Sequence, residues 1–213
     1  MDAGLDSACE AAITSLTAAS HARDAALIAS RQATRASANA IRALHRGDDG
    51  QARGLMAEAR GLLDDAVASL DGHPQIRWAG FVHDAEKEYA EACLTAAAIE
   101  GEPTPGPHDL GVTDVAWLHG VAEAVGELRR HSLDRLRHGD VAGAEGLLVR
   151  MDDFYAVLVR IDFPDAMTAG LRRATDAARG VLERTRADLT IATVQQRLER
   201  ALAEHSRRLA GDA

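Results

Sequence analysis

Helical patterning runs through almost the whole chain and is interrupted only by short segments rich in glycine, proline and aspartate. The clearest interruption covers residues 100–107, where three prolines and two glycines fall within eight residues. Alanine and leucine carry the apolar content, and aromatic residues make up only 3% of the 213 residues, which favours helices over sheets. We therefore predict an all-α protein, a single-domain bundle of about seven helices over residues 1–213.

The breaks between apolar periodic segments define the predicted helices. These cover residues 5–46, 51–70, 74–99, 113–138, 141–161, 165 to 186 or 190, and from there to 209. Pro74 suits the first turn of the third helix, and Thr113 suits the N-cap of the fourth. The apolar stripe of the third helix is predicted to comprise Trp78, Val82, Ala85, Tyr89 and Ala92. That of the fourth is predicted to comprise Val115, Leu118, Val121, Ala122, Val125 and Leu128.

Three glycines fall inside these predicted helices, at Gly80, Gly120 and Gly126. A glycine within a helix costs about 1 kcal/mol relative to alanine, so its presence needs a reason. We expect the reason to be a close approach of two helices.

Overall charge and cysteine usage exclude some classes of protein. The net charge of −9 shows that the chain as a whole is not a basic nucleic-acid binder, although a single surface can still be basic. No apolar stretch approaches the length of a membrane span, and no signal peptide opens the sequence. The two cysteines, Cys9 and Cys93, are expected to be reduced thiols. We therefore expect a cytoplasmic protein with no membrane contact.

One basic stripe stands out on the first predicted helix. Its arginines recur at steps of four, seven and four, at Arg31, Arg35, Arg42 and Arg46, and Arg77 opens the third helix. Together they could hold a single-stranded RNA by phosphate contacts. An exposed helix whose arginines pair with other helices or subunits explains the stripe equally well. Because aromatic residues are few, sequence-specific readout of bases is not expected.

Four glutamates form two close pairs on the third and fourth helices. Glu88 and Glu91 are three residues apart, and Glu123 and Glu127 are four apart, so each pair shares one helical face. Like charges at these spacings repel. If the two helices are neighbours, the four carboxylates would surround a hard cation such as Mg²⁺ or Mn²⁺. Alternatively, the glutamates form a solvated face with arginine partners, and Arg129, Arg130 and His131 are close enough in sequence to serve Glu127.

Such a carboxylate set suits the hydrolysis of phosphodiesters. A Mg²⁺ ion neutralises charge on the phosphate and lowers the pKa of a water molecule. A carboxylate that is not bound to the metal could take the proton from that water. We expect Glu123 or Glu127 to have this role.

Residues 112–130 resemble the hallmark segment of the translin family. In that family an aromatic-Leu-x-Gly motif leads into an acidic residue and then Gly-Glu-Leu, as Trp117 to Gly120, Glu123 and Gly126 to Leu128 do here. Shorter segments at residues 43–46, 76–78 and 171–189 resemble further parts of the family in the same order. The resemblance therefore covers nearly the whole chain.

The resemblance also implies a function, because the two kinds of subunit in this family differ at the acidic positions. Translin has apolar residues where this chain has Glu88 and Glu91, whereas translin-associated factor X keeps a similar Glu-Tyr-x-Glu. The resemblance implies a metal-dependent endoribonuclease acting on single-stranded RNA, with single-stranded DNA as a second candidate ligand. Its catalytic and metal-binding residues would be Glu88, Glu91, Glu123 and Glu127, although the family has aspartate at the position of Glu123. It also implies a homo-oligomer, expected to be a hollow octamer with its acidic sites facing inward.

Two other functions stay open. A non-catalytic scaffold that binds single-stranded RNA or DNA would keep the basic stripe, but it would not need Glu88 and Glu91. An all-α Mg²⁺-dependent nucleotide pyrophosphatase would also use paired acidic residues on neighbouring helices. The spacing of four between Glu123 and Glu127 and the length of the chain argue against that enzyme class.

Overall fold

The computed structural model describes residues 2–211, and every regular element in that range is a helix. The all-α prediction is therefore confirmed. The helices are α1 (Ala3–His45), α2 (Asp49–Ala68), α3 (Pro74–Arg77), α4 (Phe81–Glu100), α5 (Pro107–Leu110), α6 (Asp114–Arg137), α7 (Val141–Leu158), α8 (Asp165–Thr168) and α9 (Leu171–Gly211). None of the described helices combines the length and the apolar character that crossing a membrane would require.

The third predicted helix is wrong as a single element, because α3 and α4 are separated at residues 78–80. Gly80 has φ of +97°, a backbone conformation that no helical residue adopts and that glycine tolerates best. Trp78, which we predicted to lie in the apolar stripe, is 74% exposed. The rest of that stripe, on α4, is buried as predicted: Val82, Ala85, Tyr89 and Ala92.

The C-terminal part of the chain also differs from the prediction. The short helix α8 ends at Ala169 and Gly170, which have φ of +50° and +86°. From Leu171 a single helix, α9, continues to Gly211, so the predicted break near residues 186–190 is wrong. Residues 181–210 contain neither glycine nor proline, and nothing in the local sequence stops the helix there.

Contacts divide the chain into two compact units, of which the first comprises the residues up to 96 together with 105–120. Within it α1 packs against α2 through small side chains that are almost completely buried, namely Ala33, Ala36, Ala40, Ala52 and Ala59. Two clusters add α4 to this core. One joins Ala26, Leu70 and Val82, and the other joins Ala40, Ile41 and Ala92. Alanine-rich interfaces let helix backbones lie close together.

The second unit comprises residues 97–104 together with those from 121 onward. Within it α7 packs against α9, and the buried residues on the two helices are Leu147, Met151, Phe154, Leu158, Leu171, Ala178 and Leu182. An ion pair between Arg186 and Asp152, with a nitrogen–oxygen distance of 2.6 Å, links the same helices at their surface. Because both side chains are about half exposed, burial of the apolar residues contributes more to the stability of this unit than the ion pair does. The assignment of a single domain to residues 1–213 stays a prediction.

Candidate metal centre

Helices α4 and α6 approach each other closely where Ala90 faces Gly120. A Cβ atom on Gly120 would lie 2.8 Å from the Cβ of Ala90 and 2.9 Å from the backbone nitrogen of Glu91. Such distances are too short for any side chain, so only glycine allows this approach. The expectation that interior glycines mark a close contact between helices is met at Gly120. At Gly126 nothing lies within 4 Å of the corresponding position, and Gly80 serves a turn instead.

Three of the four predicted glutamates lie together near this contact. Glu88 and Glu91 are on α4, and Glu123 is on α6, one helical turn after Gly120. One carboxylate oxygen of each lies within 4.8 Å of the others. Glu91 is buried, with 8% of its surface exposed, whereas Glu88 and Glu123 are half-buried. We refer to these three residues as the glutamate cluster.

The donor set of the glutamate cluster fits a hard divalent cation. Carboxylate oxygens are the ligands that Mg²⁺, Mn²⁺ and Ca²⁺ prefer. Two like charges about 4 Å apart repel by roughly 1 kcal/mol in water and by about 4 kcal/mol near a protein surface. Three carboxylates at such separations are therefore more favourable with a cation among them, and Glu88, Glu91 and Glu123 are the residues that could hold it.

A lysine contacts the glutamate cluster, and two histidines lie about one turn before it on the same helices. The ammonium group of Lys87 is 3.3 Å from a carboxylate oxygen of Glu88 and offsets part of the negative charge. His83 lies five residues before Glu88, and His119 lies four before Glu123. The two histidine rings meet edge to face, with centroids 5.9 Å apart. Burial lowers the pKa of His83, and the nearby His119 lowers it further. Sequence reasoning missed these histidines, although the i,i+4 spacing of His119 and Glu123 was a usable signal.

Glu127, the fourth predicted ligand, lies one turn beyond Glu123 on α6 and is half-buried. It does not belong to the group of described carboxylates whose oxygens lie within 4.8 Å of one another. Arg129, which we considered as a partner for it, contacts α9: its guanidinium donates to Thr185 at 3.1 Å and pairs with Asp188 at 2.8 Å. The alternative of a solvated glutamate face held by Arg129 is therefore weakened.

The predicted basic stripe on α1 is solvent-facing. Arg31, Arg35, Arg42 and Arg46 are all exposed. The described contacts of two of them are to amide side chains: Arg42 donates to Asn39, and Arg46 donates to Gln51 at 2.8 Å. Amide acceptors leave the positive charge of a guanidinium in place. The stripe therefore keeps the charge that a phosphate backbone would need.

Arg77, the fifth predicted RNA-binding residue, lies in a different environment. Its guanidinium forms an ion pair with Glu86, with a nitrogen–oxygen distance of 2.5 Å, and only 19% of its side chain is exposed. Glu86 is buried, at 1% exposure, and also accepts a hydrogen bond of 2.9 Å from the hydroxyl of Thr113. Thr113 directly precedes α6. These contacts tie the start of α6 to α4, and sequence reasoning missed Glu86 entirely.

Known proteins of similar sequence and structure were found, although no family model matches the chain. An uncharacterized protein of Methanocaldococcus jannaschii is 29% identical over 133 residues, which is 62% of this chain and only 58% of the length of that protein. Two solved structures of AfC3PO, one of them a complex with duplex RNA, are 36% identical with a TM-score of 0.82. They cover 88% of this chain and 97% of theirs. The structure of apo-NeC3PO has a TM-score of 0.77 at 20% identity over 90% of this chain and 98% of its own, which shows a shared fold.

Proposed function

This chain belongs to the translin family, and we propose that it is a metal-dependent endoribonuclease that cuts single-stranded RNA. The observation that carries the proposal is the glutamate cluster, which gathers three carboxylate oxygens from two helices within 4.8 Å. The likeness to AfC3PO, which was solved in complex with duplex RNA, supports RNA as the ligand. In this proposal Glu88, Glu91 and Glu123 hold Mg²⁺ or Mn²⁺.

Each glutamate has a role in this proposal that follows from its position. When bound, the divalent cation supplies positive charge at the phosphate and lowers the pKa of a water molecule. Glu91 is buried between helices whose spacing Gly120 determines, so its carboxylate is held in one place. Glu127 lies one turn from Glu123 on α6 and outside the cluster, and we assign to it the acceptance of the proton from water.

The basic stripe on α1 is proposed to hold the RNA backbone through phosphate contacts. Four exposed arginines on one helical face give a charged strip about 22 Å long, since fifteen residues separate Arg31 from Arg46 and each residue adds about 1.5 Å. Binding through phosphates is independent of sequence and weakens with salt. We therefore expect cleavage without strong sequence preference.

We also propose that the protein is a cytoplasmic homo-oligomer, with an octamer as the expected form. Exposed apolar side chains recur at helical spacings on two long helices, in steps of eight and three on α1 and of three, four, four and seven on α9. On α1 these are Leu5, Ile13 and Leu16, and on α9 they are Ile191, Val194, Leu198, Leu202 and Leu209. Long apolar stripes on a protein surface are typical of contacts between subunits.

The test is cleavage of an end-labelled single-stranded RNA in Mg²⁺, in Mn²⁺ and in chelator. We expect cleavage in metal, none in chelator, and a loss of at least about 100-fold in Glu88→Gln, Glu91→Gln and Glu123→Gln. Glu145→Gln removes an exposed carboxylate on α7 and is the matched control, expected to cleave like the wild type. The solution mass of each variant is measured in parallel.

Each other outcome points to a different function. Cleavage that persists in chelator, or that is equal in all four variants, would contradict the proposed metal centre. RNA that is bound but left intact under every condition would indicate the non-catalytic scaffold. Release of pyrophosphate from nucleoside triphosphates, with no cleavage of RNA, would indicate the nucleotide pyrophosphatase. A duplex RNA run beside the single strand tests the preference for unpaired RNA.

A further inference from the structure

Trp78 is the most exposed large hydrophobic side chain in the described part of the chain, at 74%. It lies in the break between α3 and α4, where the positive φ of Gly80 turns the backbone out of helical geometry. The second tryptophan, Trp117, is half-buried and donates its indole N–H to the carbonyl oxygen of Pro105 at 2.9 Å. Burying a tryptophan is strongly favourable, and the exposed ring of Trp78 leaves that binding energy available to a ligand.

The indole of Trp78 is held in place rather than loosely exposed. The guanidinium of Arg77 lies over its ring, 5.7 Å from the ring centre. That guanidinium is itself held by the ion pair with Glu86 at 2.5 Å, and Glu86 is buried and bound by Thr113. An aromatic ring supported on one side by a positioned cation is preorganised to bind a flat ligand on the other side.

Trp78 lies close in sequence to the helix that carries two of the proposed metal ligands. It lies three residues before α4, the helix that carries Glu88 and Glu91. From the start of α4 at Phe81 to Glu88 the helix rises about 10 Å. This rise corresponds to a few nucleotides of an extended strand, so one strand is long enough to reach both Trp78 and the glutamate cluster.

We propose that Trp78 is a stacking platform for an unpaired base of the bound strand, with Arg77 and Glu86 as its positioning residues. This inference rests on the proposed function for the identity of the ligand and adds a reason for preferring single strands. Every base has a flat face, so stacking tolerates any sequence, but a base paired within a duplex does not present that face. Arg77 thus acts through the tryptophan rather than through a phosphate, since its charge is matched by Glu86.

The test is binding of a short single-stranded oligonucleotide in chelator, where no metal-dependent cleavage occurs. In Trp117→Phe the remaining emission comes from Trp78, and we expect the oligonucleotide to quench it. In Trp78→Phe the remaining emission comes from Trp117, and we expect no quenching. In Trp78→Ala the affinity, measured by anisotropy of a labelled oligonucleotide, should fall by about 5- to 100-fold.

Two further variants separate stacking from general effects. Phe163→Ala removes another exposed aromatic side chain, 60% exposed, and is expected to bind like the wild type. Arg77→Lys keeps the positive charge beside Glu86 but loses the flat guanidinium, and it should weaken binding by about two- to fivefold without lowering stability. The same oligonucleotide annealed to its complement should quench Trp78 less.

Several results would overturn the inference. One is an unquenched Trp78 in the Trp117→Phe protein at saturating oligonucleotide. A second is an unchanged affinity for the oligonucleotide in Trp78→Ala. This variant keeps Trp117, so the result does not depend on the Trp117→Phe substitution. A third is a smaller oligomer in Trp78→Ala with unchanged affinity per chain, which would assign Trp78 to a subunit contact. Quenching without RNA cleavage would overturn only the nuclease, and cleavage without quenching would overturn only the stacking platform.

Discussion

Two sets of carboxylates on α4, Glu86 in one and Glu88 with Glu91 in the other, lie only two residues apart along the chain but have different surroundings. Glu86 is surrounded by donors, the guanidinium of Arg77 and the hydroxyl of Thr113. Glu88 and Glu91, by contrast, have their oxygens brought near to that of Glu123, another carboxylate. The charge of Glu86 is thus compensated by the protein itself and supports the structure. The three carboxylates of the glutamate cluster repel one another, so a bound cation would stabilise them more than it would stabilise Glu86. The cluster is therefore the candidate site for binding a metal.

The largest expected effect comes from removing the charge that the fold compensates. Glu86→Ala leaves Arg77 mostly buried without its partner, and breaking a buried ion pair in this way costs about 3 kcal/mol or more. We expect the free energy of unfolding in urea to fall by that amount. Glu91→Gln, which removes a charge from the cluster, should change it by less than about 1 kcal/mol. An equal decrease in the free energy of unfolding in Glu86→Ala and Glu91→Gln would contradict the proposed difference between Glu86 and the glutamate cluster.

Adding metal should act on the cluster alone. A divalent cation at 100 times its dissociation constant stabilises the folded state by about 2.7 kcal/mol if it binds only that state. We expect Mg²⁺ or Mn²⁺ to raise the melting temperature of the wild type, and we expect Glu88→Gln and Glu123→Gln to lose most of the rise. Glu86→Gln, the same change two residues from Glu88, is the matched control and should keep it. A rise that is equal in all variants would show that the cation binds elsewhere.

The spacing of the helices that carry the cluster can be tested through glycine. Gly120→Ala would place a Cβ atom 2.8 Å from Ala90 and should destabilise the protein by about 1 to 3 kcal/mol. Gly126→Ala on the same helix meets nothing within 4 Å and should instead stabilise it by about 1 kcal/mol. Chemical unfolding of the two variants measures both changes. If both substitutions change the free energy of unfolding in the same direction, the helices at Gly120 have room for a Cβ atom and the proposed close contact is wrong.

The smallest expected effect is a dependence of stability on pH at His83. Burial and His119 lower the pKa of His83 in the folded state below its ordinary value near 6.5, against the opposing influence of Asp84 and Glu86. The unfolded state therefore binds the proton more readily, and stability should fall as the pH drops below about 6.5 until His83 is protonated in the folded state as well. We expect a small loss of stability between pH 7 and pH 5. In His83→Gln the unfolding free energy should depend less steeply on pH, and an unchanged slope would contradict this.

Local pattern was enough to predict the elements that depend on neighbouring residues. The spacing of Val121, Val125 and Leu128 predicted the buried face of α6, and those residues are buried. The spacing of Glu88 and Glu91 predicted a shared face on one helix, because a helical turn of 3.6 residues brings positions three apart together. The turn at residues 78–80 was missed, since glycine inside an apolar pattern is compatible with either a helix or a break.

The sequence by itself determined that this protein is all helical, approximately where α1, α2, α6 and α7 begin and end, and which glutamates share a helical face. Only the tertiary structure decided that Glu123 joins Glu88 and Glu91 while Glu127 does not, because that depends on where α6 lies against α4. It likewise decided that Glu86 is neutralised by Arg77 and that Trp78 is left in solvent. Periodicity is a property of consecutive residues, whereas charge compensation and exposure depend on groups that are distant along the chain and adjacent in space.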